Sequence, residues 1–222
     1  MNVINWVEKY KIIAIFRDVD RSNLIETCKA LYEGGIRLME ITFNQSSENG
    51  KEETYESIKM LDQALGNKVC IGAGTVMTLE QVDLAVKAGA KYIISPNFDK
   101  SVVERSVELG VVAIPGVMTP SEITNAYQAG ASFAKVFPAG NFGADYIKAI
   151  KSPMSHIPLL AVGGIDEKNA KSFIEAGCLG VGIGSSLVNK ELIKDKQFDA
   201  LKALAVRLVE SIDGEVESIC EK

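Results

Sequence analysis

Two residues of opposite charge stand where a charge is expensive. Lys135 lies in the run Phe133-Ala134-Lys135-Val136-Phe137-Pro138 and Glu40 in Leu38-Met39-Glu40-Ile41-Thr42, both otherwise apolar and strand-forming. An isolated ammonium withdrawn from water costs several kcal/mol and tends to give up its proton, which leaves a nucleophilic amine. A desolvated amine condenses with a ketone to a Schiff base, while a neighbouring carboxyl moves protons on and off the adduct. The competing readings are structural. A lysine on an edge strand discourages pairing between sheets, and a buried lysine–glutamate pair holds strands together at little net gain. The choice depends on the elements that carry the two residues.

Those elements follow a repeat. Glu33-Gly34-Gly35 precedes Leu38 to Thr42, Ala88-Gly89-Ala90 precedes Tyr92 to Ser95, and Leu109-Gly110 precedes Val111 to Ile114. Ala129-Gly130-Ala131 precedes the lysine run, and Ala176-Gly177-Cys178 precedes Gly180 to Ile183. In each case a glycine is expected to close a helix in the left-handed conformation before the chain turns into a strand. Ile12 to Phe16, Val69 to Gly74 and Pro158 to Ala161 bring the candidate strands to eight. Helix starts are marked by Ser22, by Thr78 with Glu80 and Gln81, by Thr119-Pro120-Ser121-Glu122 and by Asp166.

Eight such units predict an α/β fold, a (β/α)8 TIM barrel preceded by a short amphipathic helix around Val3 to Tyr10, with residues 1–222 forming a single domain. An open doubly wound sheet is the runner-up, but its GxGxxG turn is missing; Gly72-Ala73-Gly74-Thr75 is only a fragment of that pattern. Asn44 to Glu53 reads as a polar loop of the second unit. Strands of a parallel barrel are buried on both faces, so no exposed edge remains for a decorative lysine. Alternation puts Phe133, Lys135 and Phe137 on one side of their strand, and Glu40 with Thr42 on one side of theirs. Both charges then lie near the carboxyl ends of strands, where barrel enzymes build their sites.

Composition narrows the function classes. The 222 residues are 47% hydrophobic and 24% charged, with a formal net charge of −5 and no basic stripe, so no nucleic-acid or anionic-membrane partner is indicated. Apolar runs such as Ile12 to Phe16 are too short to span a bilayer, no export signal is read, and the cytoplasm is the expected location. Cys28, Cys70, Cys178 and Cys220 form no CxxC pair, which argues against a disulfide framework or zinc knuckle. His156, the only histidine, reads as a loop residue before Pro158 and leaves no imidazole cluster for a catalytic zinc or a Ser-His relay. Neither metal nor cofactor is expected.

The remaining strand ends supply fitting parts. Thr75, Ser95-Pro96-Asn97 and Pro115-Gly116 are small or polar, and Pro138 restricts the loop beyond the lysine. Val162-Gly163-Gly164-Ile165 follows the seventh strand, and Gly182-Ile183-Gly184-Ser185-Ser186 ends the eighth. Glycines there allow backbone N–H groups to approach a ligand, and helix starts after them favour an anion. Barrels often bind phosphate between these two loops, so a phosphorylated small-molecule substrate is expected.

These residues resemble the family of 2-keto-3-deoxy-6-phosphogluconate (KDPG) aldolases, which also cleave 4-hydroxy-2-oxoglutarate. Glu-Gly-Gly-Ile-Arg-Leu-Met-Glu-Ile-Thr, Ile-Gly-Ala-Gly-Thr-Val, Ile-Ser-Pro-Asn, Pro-Gly-Val-Met-Thr-Pro-Ser-Glu, Lys-Val-Phe-Pro-Ala and Val-Gly-Gly-Ile fall in family order across nearly the whole chain. The resemblance implies a metal-independent, lysine-dependent aldolase, usually a homotrimer, that splits a phosphorylated keto-deoxy sugar acid into pyruvate and glyceraldehyde 3-phosphate. It makes Lys135 the Schiff-base lysine, Glu40 the general acid/base and Thr75 a contact of the pyruvoyl portion. Gly163, Gly164 and Ser186 fall at the phosphate end, beside Gly184 and Ser185 of the same loop.

Two positions depart from the phosphogluconate pattern. Asn44 stands where an arginine often binds the substrate carboxylate, and Val162 where threonine often precedes the paired glycines. Some members carry the arginine at the end of strand one instead, as Arg17 does here, and a planar guanidinium suits that carboxylate. Asn44, Pro96-Asn97 and Val162 also resemble the aldolases for the fourth-carbon epimer, 2-keto-3-deoxy-6-phosphogalactonate (KDPGal). Two other readings use the same residues: a barrel isomerase or epimerase in which Lys135 only polarises a carbonyl, and a silent barrel that senses a phosphorylated sugar acid.

Overall fold

The computed structural model describes residues 2–213. A helix α1 (Val3–Tyr10) leads into β1 (Ile12–Phe16), α2 (Arg21–Glu33), β2 (Leu38–Thr42), α3 (Gly50–Leu65), β3 (Cys70–Gly74), α4 (Leu79–Ala88), β4 (Tyr92–Ile94) and α5 (Lys100–Glu108). There follow β5 (Val112–Ile114), β6 (Gly116–Val117), α6 (Pro120–Gln128), β7 (Ala134–Val136), a 3₁₀ turn at Ala139–Asn141 and α7 (Gly143–Lys151). β8 (Leu159–Val162), α8 (Ala170–Glu175), β9 (Gly180–Ile183), α9 (Lys190–Lys194) and α10 (Phe198–Asp213) are the last of the described elements. The predicted N-terminal helix and strand-helix alternation are both present.

All strand pairs are parallel, in the order β5-β4-β3-β2-β1-β9-β8-β7-β6. Among the described residues nine strands make eight staves of a nearly closed TIM-type barrel, because β5 and β6 are halves of one stave interrupted at Pro115. Proline offers no N–H to a ladder. β5 pairs with β4, β6 pairs with β7, and the Lys135 N–H donates to the Pro115 carbonyl at 2.9 Å.

Turn chemistry explains the regularity. Gly35, Gly89, Gly110, Gly130 and Gly177 all carry positive φ, between 74° and 109°, at the helix ends where the sequence placed them. Thr78 caps α4 by accepting from the Gln81 N–H, and Thr119 with Glu122 forms a capping box on α6. Two expected starts move. Asp20, not Ser22, precedes α2, and Asp166 opens a turn ahead of α8, accepting from the Lys168 N–H at 2.8 Å.

Alternation along the strands builds two cores. Outward residues such as Ala14, Met39, Ile71, Val136 and Val181 pack against the helices. Inward residues Ile13, Leu38, Cys70, Tyr92, Ile94, Ile114, Phe133 and Leu160 fill the barrel's amino-terminal half, closed by Val7 of α1. Burying each such side chain contributes roughly 1.5–3 kcal/mol, so the lower barrel is a packed plug that leaves the carboxyl end for chemistry. Cys28, Cys70 and Cys178 are free and buried, and burial pushes the Cys70 and Cys178 thiols up to about 12. Cys220 lies outside the described residues. Among the described residues no helix is long and apolar enough to cross a membrane.

Candidate active site

Lys135 occupies the middle of β7, in register with Gly116 on one side and Leu160 on the other. It is 6% exposed; its Nζ donates to the Ser95 carbonyl at 3.3 Å and lies 4.9 Å from the centre of the Phe137 ring. Glu40 occupies the middle of β2, between Ile15 and Gly72, and is 2% exposed. Burial lowers the Lys135 pKa, an effect the Glu40 charge opposes and the Arg17 charge reinforces. Burial raises the Glu40 pKa against the pull of Lys135 and Arg17. Both groups are thereby drawn toward their neutral forms, which suits an amine that must attack and a carboxyl that must give and take protons.

The room for Glu40 comes from β3. A Cβ on Gly74 would stand 1.7 Å from Glu40 Oε1, and one on Gly72 would stand 2.2 Å from the Tyr92 ring. The glycines that look like a broken nucleotide motif therefore serve the barrel interior, one admitting the carboxylate and the other the aromatic plug. The buried Tyr92 hydroxyl has no well-formed hydrogen-bond partner among the described residues.

Above this pair opens a cavity of about 580 Å³ at the carboxyl ends of the strands. It is lined by Arg17, Glu40, Thr75, Pro96, Lys135, Phe137, Val162, Gly163, Gly164, Gly184, Ser185 and Ser186, so the sequence-predicted residues converge with one exception. Asn44 instead faces a separate cavity of about 500 Å³ between the β1 and β2 loops and their helices. Its Nδ2 donates to Asp18 Oδ1 at 3.1 Å, and its own Oδ1 accepts from the Ser46 N–H at 2.9 Å. Thr42, expected beside Glu40, faces that second cavity as well and donates to the Phe16 carbonyl at 3.1 Å. At a strand's end the next side chain is free to leave the pleat, so alternation stops being a guide there.

Around the rim the parts differ in character. Arg17 makes no hydrogen bond or ion pair among the described residues, yet its charge acts on both Lys135 and Glu40. Thr75 holds a left-handed φ of 55°, a costly conformation for a β-branched residue, with its carbonyl tied to Gln45 Nε2 at 2.6 Å. Gly163 and Gly164 have φ of 89° and 73°, and a Cβ on Gly163 would stand 2.9 Å from the Phe137 ring.

The Ser186 hydroxyl donates to the Ile165 carbonyl at 2.9 Å, joining the loops after β8 and β9. The Gly184 carbonyl accepts from Leu187 and Val188 N–H groups at 2.9 and 2.8 Å. Among the described residues the N–H groups of Gly164, Ser185 and Ser186 donate to no backbone carbonyl. The expected helix starts do not adjoin these glycines, because α8 begins only at Ala170 and α9 at Lys190. Isolated turns present the donors instead, the arrangement of an anion-binding nest.

The cavity also includes Ile165 and Gly182 of the two glycine-bearing loop motifs, and Ile15, Asp166, Val188 and Lys190, to which sequence reasoning gave no place at the site. Ile15 was legible as the inward residue two before Arg17. Lys190 carried no signal, since a lysine opening a short helix reads as surface.

Comparison with known proteins supplies the chemistry's context. The chain is 37% identical over 185 residues to the 2-dehydro-3-deoxy-6-phosphogalactonate aldolase of Escherichia coli (strain K12), which covers 83% of this chain and 87% of that protein. It is 29% identical over 213 residues to the 2-dehydro-3-deoxy-phosphogluconate aldolase of Treponema pallidum (strain Nichols), covering 96% and 98% of the two chains. Among solved structures, a KDPG aldolase from Legionella pneumophila with pyruvate captured as a covalent carbinolamine superposes with a TM-score of 0.79 at 26% identity, covering 90% of this chain and 94% of that one. The family model for KDPG and KHG aldolases, the latter cleaving 4-hydroxy-2-oxoglutarate, matches residues 3–204; this chain belongs to that family of class I aldolases.

Proposed function

We propose that the chain cleaves a 2-keto-3-deoxy-6-phospho sugar acid to pyruvate and glyceraldehyde 3-phosphate, with Lys135 as nucleophile and Glu40 as general acid/base. The observation that carries this reading is the shared burial of these two opposite charges at the floor of one cavity. Neutral Lys135 attacks the keto carbon, and Glu40 shuttles protons as the carbinolamine loses water to give the protonated imine. Glu40 then takes the proton of the fourth-carbon hydroxyl. The bond between the third and fourth carbons breaks, its electrons pass into the imine to form an enamine, and the aldehyde leaves. Protonation of the enamine at the third carbon and hydrolysis release pyruvate and restore the amine.

Arg17 is the proposed partner of the substrate carboxylate: its unpaired guanidinium lines the same cavity and its charge reaches the reactive pair. Thr75, Pro96 and Phe137 enclose the pyruvoyl end, while Gly163, Gly164, Gly184, Ser185 and Ser186 receive the phosphate.

For the epimer, the galacto configuration is the better supported. The phosphogalactonate aldolase of Escherichia coli is the more similar of the two relatives described above. Val162 also lines the cavity with an apolar side chain where phosphogluconate enzymes of this resemblance often carry a hydroxyl. A coupled assay of pyruvate release from phosphogalactonate, phosphogluconate and hydroxyglutarate substrates tests this directly. The highest kcat/KM is expected for the first; a phosphogluconate preference would reverse the epimer assignment, and no pyruvate from any of them would overturn the proposed reaction. The family likeness further supports a homotrimer working in the cytoplasm, and light scattering in solution tests the trimer.

A further inference from the structure

The nest between the loops after β8 and β9 offers neutral donors to a ligand that is doubly charged. Among the described residues, three basic side chains line the cavity: Lys135, Arg17 and Lys190. Lys135 is committed to the floor, and the Arg17 charge is felt by both members of the reactive pair. Lys190 is not among the charges acting on that pair. It opens α9 just after the Ser185–Val188 turn and the Asn189 cap, and it lines the same cavity as Gly184, Ser185 and Ser186.

Lys190 is also an uneasy residue where it stands. It is the first residue of α9, where the helix end is partly positive, and its side chain is 57% exposed. Its Nζ is held at 3.4 Å from Asp18 Oδ2, while Asn44 donates to the other oxygen of the same carboxylate. Asp18 itself sits at φ 53°. β9 pairs with β1 and β1 with β2, so Lys190, Asp18 and Asn44 form a polar chain across three neighbouring strand ends. An exposed ion pair of this kind contributes little, so a phosphate dianion can draw the ammonium away from Asp18 at small cost. Asp166, the acidic group on that side of the cavity, is engaged with the Lys168 N–H at 2.8 Å.

We infer that Lys190 is a specificity residue for the phosphate end of the substrate, held at the cavity by Asp18 and, one contact further back, by Asn44. The inference rests on the proposed reaction and deepens it. Asn44 thereby serves the substrate at a distance, as a positioning residue acting through Asp18.

The test measures pyruvate release from 2-keto-3-deoxygalactonate with and without its 6-phosphate, for the wild type, Lys190→Met and Lys190→Arg. Losing a charged hydrogen bond to an anion is expected to raise KM for the phosphorylated substrate about ten- to a hundredfold in Lys190→Met, with kcat changing far less. The unphosphorylated substrate should show a much smaller change, and Lys190→Arg should recover most of the preference. Added salt should erode the phosphate preference of the wild type more than that of Lys190→Met. An unchanged preference in Lys190→Met, or an equal loss on both substrates, would overturn the inference while leaving the aldolase reading intact. If the wild type prefers the gluco epimer, the same comparison is made with 2-keto-3-deoxygluconate and its 6-phosphate; a wild type that releases pyruvate from neither epimer, phosphorylated or not, would overturn that reading and this inference with it.

Discussion

Replacing Gly74 by alanine puts one methyl group where the Glu40 carboxylate now sits. The new Cβ would lie 1.7 Å from Oε1, 2.4 Å from Cδ and 2.6 Å from Cγ, all inside the 3.0 Å that real Cβ contacts respect. The strand cannot yield easily, since β3 is laddered to β2 along its whole length. The flexible end of Glu40 must therefore retreat by more than about 1 Å, and misplacement on that scale costs on the order of 10²-fold in rate. Full loss of general acid–base catalysis costs about 10²–10⁴-fold, so kcat/KM for Gly74→Ala should fall within that interval.

Gly72→Ala is the control. Its Cβ meets the Tyr92 ring at 2.2 Å, a side chain packed on all sides, so it should cost about 1–3 kcal/mol of stability through overpacking. Coupled pyruvate assays beside thermal melts separate the two. Gly74→Ala that folds and retains wild-type kcat/KM would refute the assignment of Glu40.

The pH dependence has a definite sign. Lys135 must be unprotonated to attack, and burial sets its pKa below the ordinary 10.5, so kcat/KM rises as pH climbs through that lowered value. The Arg17 charge contributes to the depression, hence Arg17→Met should move this limb to higher pH, and a limb that stays or moves lower contradicts the placement of Arg17. Between the folded-state pKa and 10.5 the unfolded chain binds more protons, so the lysine's destabilising effect fades as pH rises through that window. Lys135→Met should accordingly melt higher than the wild type at neutral pH while inactive. Tyr92→Phe removes a buried hydroxyl without a well-formed partner and should leave stability equal or raised by up to about 1 kcal/mol; a clear loss in denaturant titration would reveal a partner for that hydroxyl.

Much of the barrel was legible because its punctuation is chemical. A helix that must end in the left-handed region before a strand needs glycine, and Gly35, Gly89, Gly110, Gly130 and Gly177 supply it at regular intervals. The break in the fifth stave was not foreseen, since Pro115-Gly116 reads as the end of the strand, and only the pairing of β6 with β7 shows that the stave resumes beyond the proline. Lys135 and Glu40 stood out because a charge among apolar residues violates the local pattern. Lys190 broke no pattern, and its place at the cavity follows from the closeness of β9 to β1, which is set by barrel closure and not by neighbours in sequence. Asn44 was misplaced for the complementary reason: a residue just past a strand end can turn either way, and here Asp18 offers it a partner outside the main cavity. Gly72 and Gly74 gained their meaning only from what fills the space above them.

In the proposed reaction it is Lys135 that forms the covalent bond to substrate. Lys151 provides a built-in comparison: burial lowers its pKa as well, but its ammonium is engaged with the Ser155 and Ile157 carbonyls at 2.8 and 3.0 Å, away from the cavity. Incubation with pyruvate and borohydride, followed by peptide mass analysis, should place a single reduced adduct on Lys135, inactivate the enzyme in step, and give no adduct with Lys135→Met. An adduct on Lys151 or any other lysine, or full activity surviving reduction in the presence of pyruvate, would rule out Lys135 as the nucleophile.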